Sequence, residues 1–138
     1  MITKAIERAY TLLHVRDDTI FWCIDLHGVC LASNYVSNEY GFINEDCVTA
    51  LKMITACKYS KVILWSSCHV AEQANIINFF NSNGIRVDYF NENPLCKNTT
   101  YGCFDTKFYF SVLIDDKAGF DPDVHWKEVI EYLKTKID

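Results

Sequence analysis

The sequence predicts an α/β fold, a doubly wound, Rossmann-like three-layer sandwich with a parallel sheet of four or five strands. Short continuous apolar runs alternate along the chain with segments whose apolar residues recur at helical spacing. Apolar runs without internal alternation are typical of strands that are buried on both faces. Helices between successive strands require crossover connections, which make the strands parallel. With 138 residues, half of them apolar, residues 1–138 are expected to form one domain.

The first part of the chain predicts two helices and one strand. A first helix, ending near residues 16–18, is indicated by an apolar stripe that comprises Ile2, Ala5, Ile6, Ala9, Leu12 and Leu13. The apolar run Thr19–Ile24 then predicts a buried strand, which Asp25 closes. After a polar stretch, Asn44 has the side chain of an N-cap and is followed by acidic residues, which predicts a helix over about 45–58.

The middle of the chain predicts two further strands around a helix. Lys61–Trp65 is an apolar run that ends at Ser66 and Ser67. A helix is predicted over about 69–81, because Asn83 and Gly84 supply a C-terminal stop. The run Ile85–Phe90 then predicts the third strand.

The last part predicts a loop, a strand and a helix. Residues 91–106 are rich in Asn, Thr and Cys and contain Pro94, so they are expected to be mostly loop. Phe108–Ile114 predicts the fourth strand. Asp121 and Pro122 have the signature of a helix start, and the last helix is expected to run to about residue 136.

Charge and composition exclude several classes of protein. With 13 basic and 18 acidic side chains, a net charge of -5 argues against a surface that holds nucleic acid by neutralising phosphates. Apolar runs are shorter than the roughly 18 residues of a membrane span, and the N-terminus is charged, which predicts a cytoplasmic protein without a membrane partner. The odd count of 7 cysteines favours reduced thiols.

Polar residues that suit phosphoryl chemistry follow three of the predicted strands. Asp25 follows the first strand, Ser66 the second, and Asp115 and Asp116 the last. The carboxyl ends of parallel strands meet at one edge of the sheet, so these side chains are expected to converge. Together with Lys107, the carboxylates suggest a hard divalent cation such as Mg²⁺ and a phosphorylated ligand.

These residues resemble a known family. In order, DLHGV (25–29), ILWSS (63–67), Lys107 and LIDD (113–116) resemble the four motifs of the haloacid dehalogenase superfamily of phosphohydrolases, over about residues 19–121. The stretch GIRVDYFNENP (84–94) is similar to a group of small hydrolases within that superfamily.

The resemblance implies a role for each residue. Asp25 would be the nucleophile that forms an aspartyl-phosphate, Ser66 would hydrogen-bond a phosphoryl oxygen, and Lys107 would steady the developing charge. Mg²⁺ would be held by Asp25, the backbone carbonyl of His27, Asp115 and Asp116. Because adjacent strand residues point to opposite faces, one of the last two aspartates is expected to bind directly and the other through water or a hydrogen bond.

His27 departs from the family pattern, in which the second residue after the nucleophile is an aspartate. That aspartate protonates the leaving group and later activates water, and an imidazole can perform both steps near neutral pH. The predicted function is therefore a Mg²⁺-dependent phosphomonoesterase with His27 as acid and base. The alternative is a catalytically weak or inactive protein of the same fold that binds a phosphate or a nucleotide.

The intervals after the motifs are too short for a cap domain. Residues 26–43 can form a flap and residues 91–106 a loop, so the site is expected to be open. An open site accepts a small phosphorylated molecule, which the flap or a neighbouring subunit could cover, or the terminal phosphate of a larger substrate. Five aromatic residues are candidates to stack on a base or a sugar: Tyr35, Tyr40, Phe42, Tyr89 and Phe90.

Overall fold

A computed structural model describes residues 2–13, 18–32 and 40–136. The elements in chain order are α1 (Ile2–Thr11), β1 (Ile20–Asp25), α2 (Glu45–Ala56), β2 (Ser60–Trp65), α3 (Val70–Ser82), β3 (Tyr89–Phe90), β4 (Val112–Ile114), a single 3₁₀ turn (Asp116–Ala118) and α4 (His125–Lys134). In the part of the chain that is described, no helix has the length and apolar character needed to cross a membrane.

The strands form one parallel sheet in the order β3-β2-β1-β4. The prediction of an α/β fold with a parallel, Rossmann-like sheet is confirmed. From β1 the chain moves outward through β2 to β3 and then returns to the other side of β1 with β4. The order reverses between β1 and β4, and such a switch point opens a crevice at the carboxyl ends of the two strands.

All four helices contribute to one apolar core on one face of the sheet. The core contains Trp22 and Ile24 of β1, together with Leu51 of α2, Phe80 of α3 and Trp126 of α4. Side chains alternate along a strand, so Phe21, Cys23 and Asp25 point to the opposite face. The catalytic candidate Asp25 therefore lies on the face that the helices do not cover.

An irregular segment, residues 91–111, covers that second face, where the prediction of a doubly wound sheet placed helices. The Tyr109 ring lies 6.1 Å from the Phe21 ring, and the Phe108 ring lies 5.4 Å from the ring of Trp65. Asn93, which is buried, donates a hydrogen bond of 2.8 Å from its side-chain amide to the Tyr109 carbonyl. The third layer thus consists of aromatic residues on a loop.

Two predicted strands are longer than the observed ones because side chains replace part of the backbone ladder. The third strand was predicted at 85–90, but the Asp88 carboxylate accepts the Val62 N–H at 2.7 Å and only Tyr89–Phe90 pair as a strand. The fourth was predicted at 108–114, but the Ser111 hydroxyl accepts the Phe21 N–H at 3.0 Å, and the ladder begins at Val112.

The structure confirms the predicted N-cap of α2 and places the start of the last helix later than predicted. The side chain of Asn44 accepts the Cys47 N–H at 2.8 Å, which confirms it as the N-cap of α2. The last helix begins at His125 rather than near Asp121; residues 121–124 form a turn in which the Asp121 carbonyl accepts the N–H groups of Val124 and His125 at 3.1 and 2.7 Å. The predicted end of the first helix near 16–18 falls partly on residues 14–17, outside the described residues; α1 ends at Thr11.

Candidate functional site

Three carboxylates meet at the switch point of the sheet. Asp25 is the last residue of β1, Asp115 directly follows β4, and Asp116 begins the 3₁₀ turn. One carboxylate oxygen from each side chain lies within 4.8 Å of the other two. The structure therefore brings together the three acidic residues that the sequence predicted to converge.

The path of the backbone after β4 explains why both Asp115 and Asp116 lie close to Asp25. The strand β4 ends at Ile114, so the alternation of strand side chains does not extend to these two residues. Asp115 caps the 3₁₀ turn, and its Oδ1 accepts the Lys117 N–H at 2.9 Å. The turn directs the Asp116 carboxylate toward Asp25 as well, so both neighbours belong to the cluster, and direct binding of a cation by one of them stays a prediction.

Crowding and burial change the acidity of the site. The pKa of Asp25 rises from its ordinary value of 3.8 to about 6, because burial and the negative charge of Asp115 outweigh the Leu26 N–H, and Asp116 raises it further. The pKa of the neighbouring Cys23 thiol rises to about 12, chiefly through burial and then through the charges of Asp115 and Asp25. The cluster thus carries a concentrated negative potential.

A tight turn after β1 places the residues that follow Asp25. The Leu26 carbonyl accepts the N–H groups of Val29, Cys30 and Leu31 at 3.1, 2.8 and 2.9 Å. His27 is exposed on this turn, two positions beyond Asp25, and its imidazole does not belong to the cluster that the described acidic side chains form. The turn leaves the His27 side chain accessible to a ligand.

Gly28 is required at this turn for two reasons. Its φ of +84° lies in the left-handed region, which residues with a Cβ seldom adopt. A Cβ at this position would also lie 3.2 Å from the Asp116 Oδ2 atom. The absence of a side chain at Gly28 therefore lets the Asp116 carboxylate approach the turn.

We expect Gly28→Ala to reduce the free energy of unfolding by about 1–2 kcal/mol, since the new Cβ would strain the left-handed backbone of the turn and would also contact the Asp116 carboxylate. It should also weaken any cation affinity of the cluster, because Asp116 must shift. Urea denaturation with and without Mg²⁺ measures both effects. Gly41→Ala is the matched control, because a Cβ at Gly41 meets no atom within 4 Å; equal behaviour of the two variants would contradict the account.

Ser66 is held at the end of β2 by Asn91. The Asn91 side chain accepts the Ser66 N–H at 2.9 Å and donates to the Ser66 carbonyl at 2.7 Å, as a neighbouring strand would. The Ser66 hydroxyl accepts the Cys68 N–H at 3.1 Å, which leaves its proton available to a ligand oxygen. The NENP stretch of the sequence thus has a structural role: Asn91 fixes Ser66, and Asn93 fixes the covering segment.

Lys107 is not brought into contact with the carboxylates. Its side chain is exposed, and its Nζ lies 5.8 Å from the centre of the Phe110 ring. Among the described residues, no ion pair within 4.0 Å joins Lys107 to a member of the cluster. A long exposed lysine side chain can change rotamer at little cost, so its predicted role requires such a movement.

The two described aromatic residues of the flap, Tyr40 and Phe42, pack on α3. The rings of Tyr40 and Phe42 lie 5.7 and 4.8 Å from the ring of Phe79 on α3. The Tyr40 hydroxyl also donates to the Glu72 carboxylate at 2.8 Å. Tyr89 and Phe90 are partly buried in β3, and Tyr35 lies outside the described residues. The flap is therefore anchored on α3 where it is described.

Sequence reasoning missed Trp65, the last residue of β2. In the register of the sheet it is the direct partner of Asp25, and its side chain is 43% exposed. Its position at the end of an apolar run, next to two serines, is the one sequence signal that could have indicated it.

Comparison with known proteins adds a likeness of fold. A solved structure of a conserved protein from Bacteroides thetaiotaomicron superposes with a TM-score of 0.64 at 21% sequence identity, over 87% of this chain and 93% of that chain. No family model matches the sequence, and no curated protein matches it. At this identity the solved structure shows that the two chains share their fold.

Proposed function

We propose that the protein is a Mg²⁺-dependent phosphohydrolase of the haloacid dehalogenase type, without a cap domain, that cleaves phosphomonoesters through an aspartyl-phosphate on Asp25. The observation that carries the proposal is the meeting of Asp25, Asp115 and Asp116 within 4.8 Å at the switch point of a parallel sheet. This is the edge at which open α/β sheets bind their ligands. Either a small phosphorylated molecule or the terminal phosphate of a larger one would suit it.

The donor set fits a hard divalent cation. Mg²⁺ prefers carboxylate and carbonyl oxygens, and the cluster offers carboxylates from Asp25, Asp115 and Asp116, with the His27 carbonyl nearby in sequence. Burial raises the pKa of Asp25 most, the negative charge of Asp115 raises it further, and a cation would relieve that repulsion. When bound, Mg²⁺ supplies positive charge that neutralises and polarises the phosphoryl oxygens.

The chain's own residues divide the chemistry between them. An Asp25 carboxylate oxygen attacks phosphorus, the bond to the ester oxygen breaks, and the phosphoryl group is transferred to Asp25. The Ser66 hydroxyl donates to a phosphoryl oxygen, and Lys107, after a rotamer change, neutralises charge on the transferred group. Water then attacks phosphorus and releases phosphate, which restores the Asp25 carboxylate.

His27 is proposed to move the protons. It would donate a proton to the departing ester oxygen and then accept one from the attacking water. The exposure of His27 on the turn after β1 is compatible with contact to both groups.

The direct test is turnover of a broad panel of phosphomonoesters, including p-nitrophenyl phosphate, by the purified protein. We expect phosphate release that requires Mg²⁺ and stops when EDTA is added. A wild-type protein that is inert across the panel with Mg²⁺ present would contradict the proposal.

His27→Asp distinguishes the enzyme from the alternative of a weak or inactive phosphate- or nucleotide-binding protein. If His27 is the working acid and base, the pH profile of kcat/KM should change shape, and kcat should fall by about tenfold or more, because an aspartate is largely deprotonated near neutral pH and donates a proton to the leaving group less readily. Initial rates between pH 5 and 9 measure this. A variant that gains turnover from an inert wild type would instead indicate a binding protein that has lost its acid and base.

A further inference from the structure

Trp65 lies beside the proposed nucleophile. The two residues are the last of β1 and β2, and they are direct partners in the parallel register, so their side chains leave the same face of the sheet on strands about 5 Å apart. Asp25 is half-buried at this edge, whereas the Trp65 side chain is 43% exposed. A large aromatic surface thus adjoins the point at which a phosphoryl group would be attacked.

The other two tryptophans show that this exposure is specific to Trp65. Trp22 and Trp126 are fully buried, and their indole N–H groups donate to the Ser60 hydroxyl at 3.0 Å and the Val29 carbonyl at 2.9 Å. In residues 2–13, 18–32 and 40–136, no hydrogen-bond acceptor is recorded for the Trp65 indole. Trp65 therefore has both an accessible ring and a donor that remains for a ligand.

Neighbouring residues hold Trp65 in position. The Phe108 ring packs edge-on at 5.4 Å with an interplanar angle of 66°, and Phe108 itself contacts Phe110 at 6.2 Å. The next residue, Ser66, is fixed through both of its backbone groups by Asn91. A supported aromatic side chain loses little conformational freedom when it binds a ligand, which favours recognition.

We propose that Trp65 determines substrate specificity: the site takes phosphomonoesters whose phosphate is carried close to a planar aromatic group, and that group stacks on Trp65. The inference rests on the proposed function, because it places the phosphate at Asp25. Stacking of a base on an aromatic side chain strengthens binding by roughly ten- to a hundredfold per base in proteins that bind single-stranded nucleic acid. Nucleoside monophosphates and aryl phosphates such as phosphotyrosine share this chemistry, whereas glycerol phosphate lacks it.

The first test uses the fluorescence of Trp65, the exposed indole. Adenosine 5′-monophosphate, phosphotyrosine and glycerol phosphate are each titrated, with Mg²⁺, into the Asp25→Asn variant, which lacks the nucleophile and therefore does not consume them, and tryptophan emission and heat of binding are recorded. We expect one or both aromatic phosphates to bind at least about tenfold more tightly than glycerol phosphate and to quench emission by stacking. The better of the two identifies which source of the aromatic group the site prefers.

The second test compares Trp65→Leu with Tyr59→Leu. Tyr59 is the matched control, because it is a 36% exposed aromatic residue that immediately precedes β2, at the opposite edge of the sheet. In Trp65→Leu, the ratio of kcat/KM for the preferred aromatic phosphate to that for glycerol phosphate should fall about tenfold, through KM. Tyr59→Leu should keep the wild-type ratio.

The outcomes separate the two proposals. If glycerol phosphate is hydrolysed as efficiently as both aromatic phosphates, or if the ratio survives in Trp65→Leu, the role of Trp65 is wrong and the phosphohydrolase stands. If none of the three phosphates is bound or hydrolysed while other members of the phosphomonoester panel are, the role of Trp65 is wrong and the phosphohydrolase stands; if the whole panel is inert as well, both proposals fail. Should Trp65→Leu not fold, the comparison of the three ligands still decides the matter.

Discussion

Asp25→Asn is expected to reduce phosphomonoester hydrolysis by at least about a thousandfold while the protein remains folded. An amide oxygen is a poor nucleophile, and the variant cannot form the acyl phosphate on which the proposed reaction depends. Initial rates with p-nitrophenyl phosphate and Mg²⁺ measure the loss. Glu7→Gln, which makes the same chemical change at an exposed position on α1, is the matched control and should retain the wild-type rate.

Asp25 is also expected to make the free energy of unfolding depend on pH when no cation is present, and Asp25→Asn should remove this dependence. The pKa of Asp25 is about 6 in the folded protein against an ordinary 3.8, so the folded state binds more protons than the unfolded state between these values. The free energy of unfolding should therefore fall as pH rises from about 4 to 6. Asp25 is partly solvated, so we expect a fall of only about 1 kcal/mol.

Urea denaturation in EDTA across this pH range tests the linkage. In Asp25→Asn the fall should largely disappear, and at pH 7 the variant should be more stable than the wild type by about 1 kcal/mol. Mg²⁺ should stabilise the wild type more than the variant, since a ligand that binds the folded state raises its stability. A variant that keeps wild-type turnover would refute Asp25 as nucleophile, and a variant whose stability has the wild-type pH dependence would refute the raised pKa of Asp25.

The sequence predicted the parallel sheet because the apolar residues that mark its central strands are contiguous in the chain. Runs such as Phe21–Ile24 and Val62–Leu64 are apolar at every position, as strands buried on both faces require. The outer strands were less predictable. Asp88 and Ser111 each use a side chain in place of a backbone group in the ladder, and such substitution leaves no mark on apolar periodicity.

In the candidate site, too, some features were predictable from the sequence and others were not. Convergence of Asp25 with Asp115 follows from the rule that parallel strands end at one edge. The approach of Asp116 depends on a 3₁₀ turn and on the missing side chain of Gly28, which are tertiary features. Trp65 was missed for a different reason: at the end of an apolar run, a tryptophan that is buried and one that is exposed have the same apolar pattern, and only the two serines that follow mark the end of the strand.

Trp126→Ala is expected to reduce the free energy of unfolding by about 3–5 kcal/mol, a large fraction of what a domain of this size possesses. The side chain is fully buried in the helical core, so its removal leaves a large cavity. Its indole N–H also donates to the Val29 carbonyl at 2.9 Å, and Val29 belongs to the turn that carries His27 and Gly28. Urea denaturation measures the loss.

Trp126→Phe separates the packing from the hydrogen bond. It retains much of the buried volume but leaves the Val29 carbonyl without its indole donor, which should cost about 1–3 kcal/mol. Because that carbonyl lies one residue from Gly28, against which Asp116 packs, the loosened turn should also reduce the stabilisation that Mg²⁺ gives to the protein. Tyr132→Phe, on the same helix but partly exposed, should leave the Mg²⁺ effect unchanged. Trp126→Phe could instead lose stability but keep the full stabilisation by Mg²⁺. In that case α4 would support only the core, and the hydrogen bonds to the Leu26 carbonyl would hold the turn after β1 without the Trp126 indole.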